Sequence, residues 1–424
     1  MTGEQIGSLR GALEAHLQRF GDCFKRQSTF EHLERYVRGL MSDVARKSVE
    51  PMALSAGVPP RTLQEFLSHL SWDHDRAEAT LHRLIADRPV QGRSLAVVDA
   101  SGYFKRGDKT PGVQRQWCGE RGKKDNCVIG QHLLWADDDA ANPMACVIAS
   151  DLYLPQSWAE DPDRRRAAHI PPALTYRPKW RIAIEQLQRA MGNAVRFDWV
   201  TFDEDYGNVP QFWFELDRLG LRGMGEVKAN FRCWTRRPAC VSLRAEHASH
   251  TVANLGRFSP TFRRQPWRTM KIKDVTRGPM TWQVKAARLW LVDRDRQTQR
   301  SRPTDRQYWL IVARQPVSGE IKYFVSNAPA SVELSELMQV GFSRWHIEKW
   351  FERGKQEVGL GAFEVRTYRS LIRHWVCCQV AMWFLAEQTT RLRGEKSTHH
   401  PGTSQPGDQR AGASAVECLV ELVA

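Results

Sequence analysis

The chain has 424 residues, 42% of them hydrophobic, which is enough for a substantial core in two or three domains. Lysine and arginine number 62 against 48 acids, a formal net charge of +14 that suits a polyanionic partner, nucleic acid before others. The opening stretch MTGEQIGSLRGALEAHLQRF lacks an apolar signal, and WVCCQVAMWFLAE is too short to span a bilayer, so a cytoplasmic, nucleoid-associated protein without a membrane partner is expected. Nine cysteines occur without a CxxC pair, which excludes zinc-finger spacing and reads as reduced, buried thiols.

Residues 1–90 read as an all-helical domain, rich in helix formers with heptad-like apolar spacing. Within it, residues 51–70 are spaced like a helix-turn-helix. Small Ala53 lets two helices approach, Gly57 permits a left-handed turn residue, and Leu63 and Phe66 pack the second helix. Pro59 and Pro60 suit that helix's start, and Arg61 and Gln64 then face outward as candidate DNA contacts. A plain helical hairpin satisfies the same spacing.

From residue 91 the pattern changes. SLAVVDASG reads as a buried strand reaching Asp99, and CVIGQHLLWAD and PMACVIASDLYL as two more in an antiparallel meander. A helix is expected over 178–191, a strand through VRFDWVTF ending at Asp203, and a helix over 208–219. GLRGMGEVK reads as a turn rather than a dinucleotide motif. Residues 226–330 are aromatic, basic and strand-like, a β-rich insertion in which Trp234, Trp267 and Trp282 are candidates for stacking on unpaired bases. Helices return over 331–393, and residues 394–424 read as a flexible tail.

Two acids, Asp99 and Asp203, end separate hydrophobic strands. A strand end is a rigid platform for a carboxylate. Two such acids and a third from a helix make an oxygen cage for Mg²⁺, two ions of which can activate water and stabilise a leaving oxygen in phosphodiester cleavage. The third acid comes from RWHIEKWFERGKQEVGLG, residues 344–361. Arg344, Glu348 and Lys355 are four and seven residues apart on one helix face, beside an apolar stripe of Ile347, Trp350, Phe351 and Val358. Glu348 then ligates metal while Arg344 and Lys355 grip phosphate, although a solvated salt-bridge face has the same spacing. Glu352 and Glu357 read as surface acids. Asp108, Asp125 and Asp151 are set aside, as are Glu204 and Asp205 beside Asp203.

Three blocks carry a resemblance: VVDASGYFKRG with Asp99, VTFDEDYG with Asp203, and RWHIEKWFERGKQEVGL with Glu348. Over about residues 30 to 390 the chain resembles the bacterial insertion-sequence DDE transposases of the IS-four-related group. Their third block, Tyr-x2-Arg-x3-Glu-x6-Lys, matches at Arg344, Glu348 and Lys355, while its Tyr falls on Gly341. The resemblance implies an α/β fold with an RNase H-like mixed-sheet core in two parts, residues 91–225 and 331–393, around the β-insertion. It implies Asp99, Asp203 and Glu348 as metal-binding catalytic residues with Mg²⁺, or Mn²⁺ in its place. It further implies cut-and-paste transposition by a homodimer on double-stranded DNA, the terminal inverted repeats and the target. Lys105, Arg106 and Arg115 are further phosphate-contact candidates. A non-catalytic DNA-binding derivative and a resolvase-like nuclease are the other readings.

Overall fold

The computed structural model describes residues 3–238, 249–275, 278–294, 301–344 and 353–399. The fold is mixed α/β with a large mixed sheet, the class the sequence implied, and it divides into two compact units. The first holds the described residues within 1–94, 99–196 and 347–424, the second those within 95–98 and 197–346. Strand β1 (Ser94–Phe104) is therefore shared, with Leu95–Val98 in the second unit and Asp99 onward in the first.

In the first unit, five helices open the chain: α1 (Gly3–Gln18), α2 (Gln27–Met41), α3 (Val49–Ser55), α4 (Pro60–Ser68) and α5 (His74–Ala86). The periodicity explains α2, where Phe30, Leu33, Val37 and Leu40 are all buried at helical spacing. Its Gly39 meets α3 closely, since a Cβ there would lie 2.9 Å from the Cβ of Met52. The long helix Tyr368–His399 packs against α2, α4, α5 and β4. Its buried Arg373 donates to the carbonyls of Leu70 and Trp72, each at 2.8 Å, and to those of Phe66 and Leu67, so the end of α4 is satisfied internally. Strands β2 (Gln114–Cys118), β3 (Lys123–Asp137) and β4 (Met144–Leu152) follow, with β3 antiparallel to both of the others.

In the second unit, Leu95–Val98 pairs in parallel with β5 (Trp199–Phe202), and β5 in parallel with β6 (Gly223–Val227). The sheet continues antiparallel through β13 (Ile321–Ser326), β12 (Tyr308–Arg314) and β10 (Gly278–Arg294). Strands β7 (Arg232–Trp234), β9 (Arg268–Val275) and β11 (Ser301–Pro303) pair with β10, and β8 (His250–Thr251) with β7. This β-rich region also contains two short helices, Val252–Phe258 and Pro260–Arg263, begun by the side-chain caps Thr251 and Ser259. The sequence reading of SPTFRRQP as strand is corrected here: Ser-Pro is a helix start.

A second correction concerns GLRGMGEVK. Gly220 does turn, at φ +70°, but Gly223–Val227 is the mostly buried strand β6. Its glycines serve packing. A Cβ at Gly225 would lie 2.2 Å from the ring of Phe202, and one at Gly223 would meet Leu216 at 2.8 Å. The seven cysteines among the described residues are free and buried, as the composition suggested. No helix among the described residues is long and apolar enough to cross a membrane.

Candidate active site

Val98 and Phe202 are register partners in the parallel pair of β1 and β5. The next residue along each strand is an acid, Asp99 and Asp203 respectively. Both strands are buried up to that point, so each carboxylate sits on an immobile backbone.

In the first unit, half-buried Asp99 accepts a hydrogen bond from the Ala100 N–H at 2.7 Å, and its carbonyl accepts one from Gln131 Nε2 at 3.1 Å. Lys355 shares this neighbourhood. Burial lowers its proton affinity, opposed by the negative charges of Glu120 and then Asp99. Its Nζ lies 5.5 Å from the Tyr103 ring centre. Behind that ring, the Tyr103 hydroxyl and His132 Nε2 are 2.8 Å apart, and His132 Nδ1 and Ser150 Oγ are 2.8 Å apart. Burial first, and then the Lys355 charge, pushes the imidazole down to about 3, so His132 is neutral. Lys355 is thus a desolvated ammonium with a neutral aromatic floor.

Lys105 points inward rather than toward solvent. It donates to the Gly361 carbonyl at 2.7 Å and its Nζ lies 3.7 Å from the Phe363 ring centre, with burial pushing it down to about 8. The segment after residue 357 is held from other sides too. Trp375 Nε1 donates to the Leu360 carbonyl at 3.2 Å, and His374 Nε2 is 3.1 Å from the Gly359 carbonyl. Beside it, a cleft of about 500 Å³ is lined by Ser42–Lys47, Lys355, Gln356, Glu357, Gly359 and Ala362. The α2–α3 loop in this cleft carried no sequence signal, because SDVARK is unremarkable until Lys47 is seen buried and donating to the Ser42 carbonyl. Arg106 and Arg115 are exposed.

In the second unit, Asp203 caps the turn Glu204–Gly207 and accepts from the Asp205 N–H at 3.0 Å. Its proton affinity is raised, by burial first and then by the Asp205 charge, against the opposing Arg344 guanidinium. A carboxylate short of positive charge is what a cation seat requires, so the residue fits a divalent metal. Gly207 lets this turn lie on β6: a Cβ there would lie 2.0 Å from the Glu226 carbonyl oxygen. Arg344 ends the helix Leu334–Ser343. In that helix Gly341 is a packing residue, since a Cβ would come within 2.9 Å of the Met224 methyl. A side chain at the position that carries Tyr in the resembled pattern would thus need the Met224 methyl to shift.

Glu348 lies outside the described residues, as do Ile347, Lys349, Trp350, Phe351 and Glu352. Among the described residues no three or more His, Cys, Asp or Glu side chains gather as a metal group. The acids set aside have other occupations. Asp151 is ion-paired to Arg189 at 2.7 Å, Asp108 lies 3.9 Å from Lys109, and Asp125 accepts from the Asn126 N–H at 2.8 Å. Glu357 lies 4.0 Å from Arg353.

In the helical pair α3 and α4, Ala53, Leu63 and Phe66 are fully buried and Gly57 has φ +67°. Arg61 and Gln64 are exposed, with Arg61 donating to Glu65 at 2.7 Å across one turn. The tryptophans singled out in the insertion are not free platforms. Trp234 and Trp282 are buried, and Trp267 lies between Lys285 and Arg314, at 4.7 and 4.4 Å from its ring centre. Trp234 and Trp282 belong to packed strands, and half-buried Trp267 is flanked by cations, which the basic flanking residues in the sequence did not reveal.

The fold is thus a mixed α/β one in which an acid directly follows each of the register partners Val98 and Phe202. The chain belongs to the DDE superfamily endonucleases, whose family model matches residues 19–288, more than half of its length. It is similar to a probable transposase for insertion sequence element IS701 from Microchaete diplosiphon, 24% identical over 221 residues. That match covers 51% of this chain and 54% of the relative, so it spans about half of the relative's length. Among solved structures, a piggyBac transposase synaptic complex with hairpin DNA aligns over 100% of this chain and 78% of its own, with 12% identity and a TM-score of 0.41.

Proposed function

We propose that this chain is a DNA transposase that binds the ends of its element, cleaves a strand in a Mg²⁺-dependent step and transfers the freed 3′-OH to target DNA. The observation that supports this reading is the Val98–Phe202 register of two parallel strands, each followed in sequence by an acid, in a chain of the DDE superfamily. Asp99, Asp203 and Glu348 would hold the metal, which when bound supplies an activated water and charge neutralisation at the leaving oxygen. Asp203 is suited to this by a charge that burial and Asp205 disfavour and that Arg344 only partly offsets. Lys355 and Arg344 grip the phosphates flanking the reacting one, and Arg61 and Gln64 read base edges from α4. Two protomers on the paired element ends complete the assembly. The test is incubation of purified protein with DNA from the gene's flanks: Mg²⁺-dependent nicks at the inverted-repeat boundary support the reading, and their absence with Mg²⁺ and Mn²⁺ alike removes it.

Two predictions follow from individual contacts. Lys355→Ala is expected to slow strand cleavage by about one to two orders of magnitude, the loss of one charge-assisted contact to phosphate. Lys109→Ala, at an exposed lysine, is the control. Equal nicking rates in the two variants, with melting temperatures like wild type, would take Lys355 out of the phosphate grip.

Arg61→Ala combined with Gln64→Ala is expected to weaken binding to the element end by about 10-fold or more while random DNA loses far less. Gel-shift titrations of both DNAs decide it. An equal loss on both would make the pair a backbone contact only.

A further inference from the structure

The β2–β3 hairpin displays a tryptophan that the interior does not use. Trp117 is 61% exposed, the one tryptophan among the described residues that is mainly exposed. Cross-strand register sets Lys124 directly opposite it, and Arg115 lies two residues earlier on the same strand face. Both cations are exposed. The other face of the hairpin is glue: Cys118 and Cys127 are buried with Ile129, against Ala100, Phe104 and Tyr153.

That glue fixes the hairpin over the stretch of β1 that follows Asp99. The Phe104 N–H donates to Glu120 at 3.0 Å, and the Arg121 guanidinium lies 4.2 Å from the Phe104 ring centre. The backbones approach closely at Gly102, where a Cβ would lie 3.2 Å from the Cys118 Cα. Glu120, at the hairpin's tip, is also the first of the acids acting on Lys355. An isolated exposed tryptophan would need no account. One set beside an arginine and a lysine, on a hairpin whose tip acid Glu120 acts on Lys355, matches a stacking platform whose neighbouring cations track a phosphate backbone.

We infer that Trp117 stacks on an unpaired DNA base next to the strand held at Lys355, with Arg115 and Lys124 on the phosphates either side of that base. The inference rests on the transposase reading and adds to it a preference for DNA whose end has opened. The cations and acids of the candidate site act on a phosphate whatever the pairing of its base, so only a stacking residue distinguishes the two kinds of DNA.

The test uses the full chain and two oligonucleotides of one sequence, one fully paired and one ending in a single-stranded fork that carries 2-aminopurine. Wild-type protein is expected to bind the fork about tenfold more tightly than the paired DNA and to quench the 2-aminopurine, as one aromatic–base stack requires. Trp117→Ala should erase the preference and the quenching while retaining affinity for paired DNA, and Trp117→Phe should keep part of both. A preference that survives Trp117→Ala, or an equal loss on both DNAs, overturns the inference. If wild-type protein nicks and binds paired DNA but shows no preference for the fork, the stacking inference falls and the transposase reading stands. If it binds neither DNA, both fall.

Discussion

Asp203→Asn is expected to abolish Mg²⁺-dependent nicking, by about a thousandfold or more, while DNA affinity stays within about twofold of wild type. The substitution is isosteric. An asparagine oxygen can still accept from the Asp205 N–H, so the cap of the Glu204–Gly207 turn persists and the melting temperature should not move. What is lost is the negative charge that burial and Asp205 already leave short of compensation. DNA affinity survives because it comes mainly from lysine and arginine at phosphates, and the chain carries a net charge of +14. Asp99→Asn and Glu348→Gln should behave alike, and Asp108→Asn, on an exposed acid beside Lys109, should nick normally. Near-wild-type nicking by any of the three removes that residue from the proposed metal set.

Gly207→Ala is expected to cost both stability and activity through backbone rather than side-chain contact. The new Cβ would lie 2.0 Å from the Glu226 carbonyl oxygen and 3.2 Å from a methyl of Val227, so the turn has to lift from β6. The turn is tied at both ends: the Gly207 N–H donates to the Asp203 carbonyl at 2.9 Å, and Trp213 Nε1 donates to the Gly207 carbonyl at 2.8 Å. Lifting it therefore moves Asp203. Forcing atoms into a packed position costs about 1–3 kcal/mol, or a fall of about 2–10 °C in melting temperature for a unit of this size. A shift of about 1 Å in a reacting group slows the chemistry by about a hundredfold. Gly11→Ala is the control, because nothing lies within 4 Å of a Cβ there, and in mid-helix alanine should stabilise slightly. A Gly207→Ala protein that melts and nicks like wild type would show that the turn yields without moving Asp203.

Much of the framework was legible because its signals are local. Leu95–Val98 and Trp199–Phe202 are short apolar runs that meet acids, and both form buried strand segments; β5 stops before Asp203 as read, whereas β1 runs on through Asp99 to Phe104, a continuation that the acid masked. The spacing of Ala53, Gly57, Leu63 and Phe66 gave the helical pair, down to the positive φ at Gly57. What sequence did not show depends on distant partners. Gly223 and Gly225 look like turn residues until Leu216 and Phe202 are placed against them. Trp234 and Trp282 look available until the sheet buries them, whereas Trp117 looks ordinary until it is the tryptophan left mainly exposed among the described residues. Lys105 reads as a phosphate contact, yet its ammonium is engaged by Gly361 and Phe363, more than two hundred positions further along the chain.

The most direct measurement is a strand-transfer reaction with purified protein, a precleaved element end bearing a 3′-OH, and supercoiled target plasmid, with and without Mg²⁺. Joined product that appears only with Mg²⁺, and disappears with Asp99→Asn and with Asp203→Asn, is the result expected. Mg²⁺-dependent joining that persists in either variant, or wild-type protein that binds the end but joins nothing, would contradict a transposase in which Asp99 and Asp203 do the chemistry.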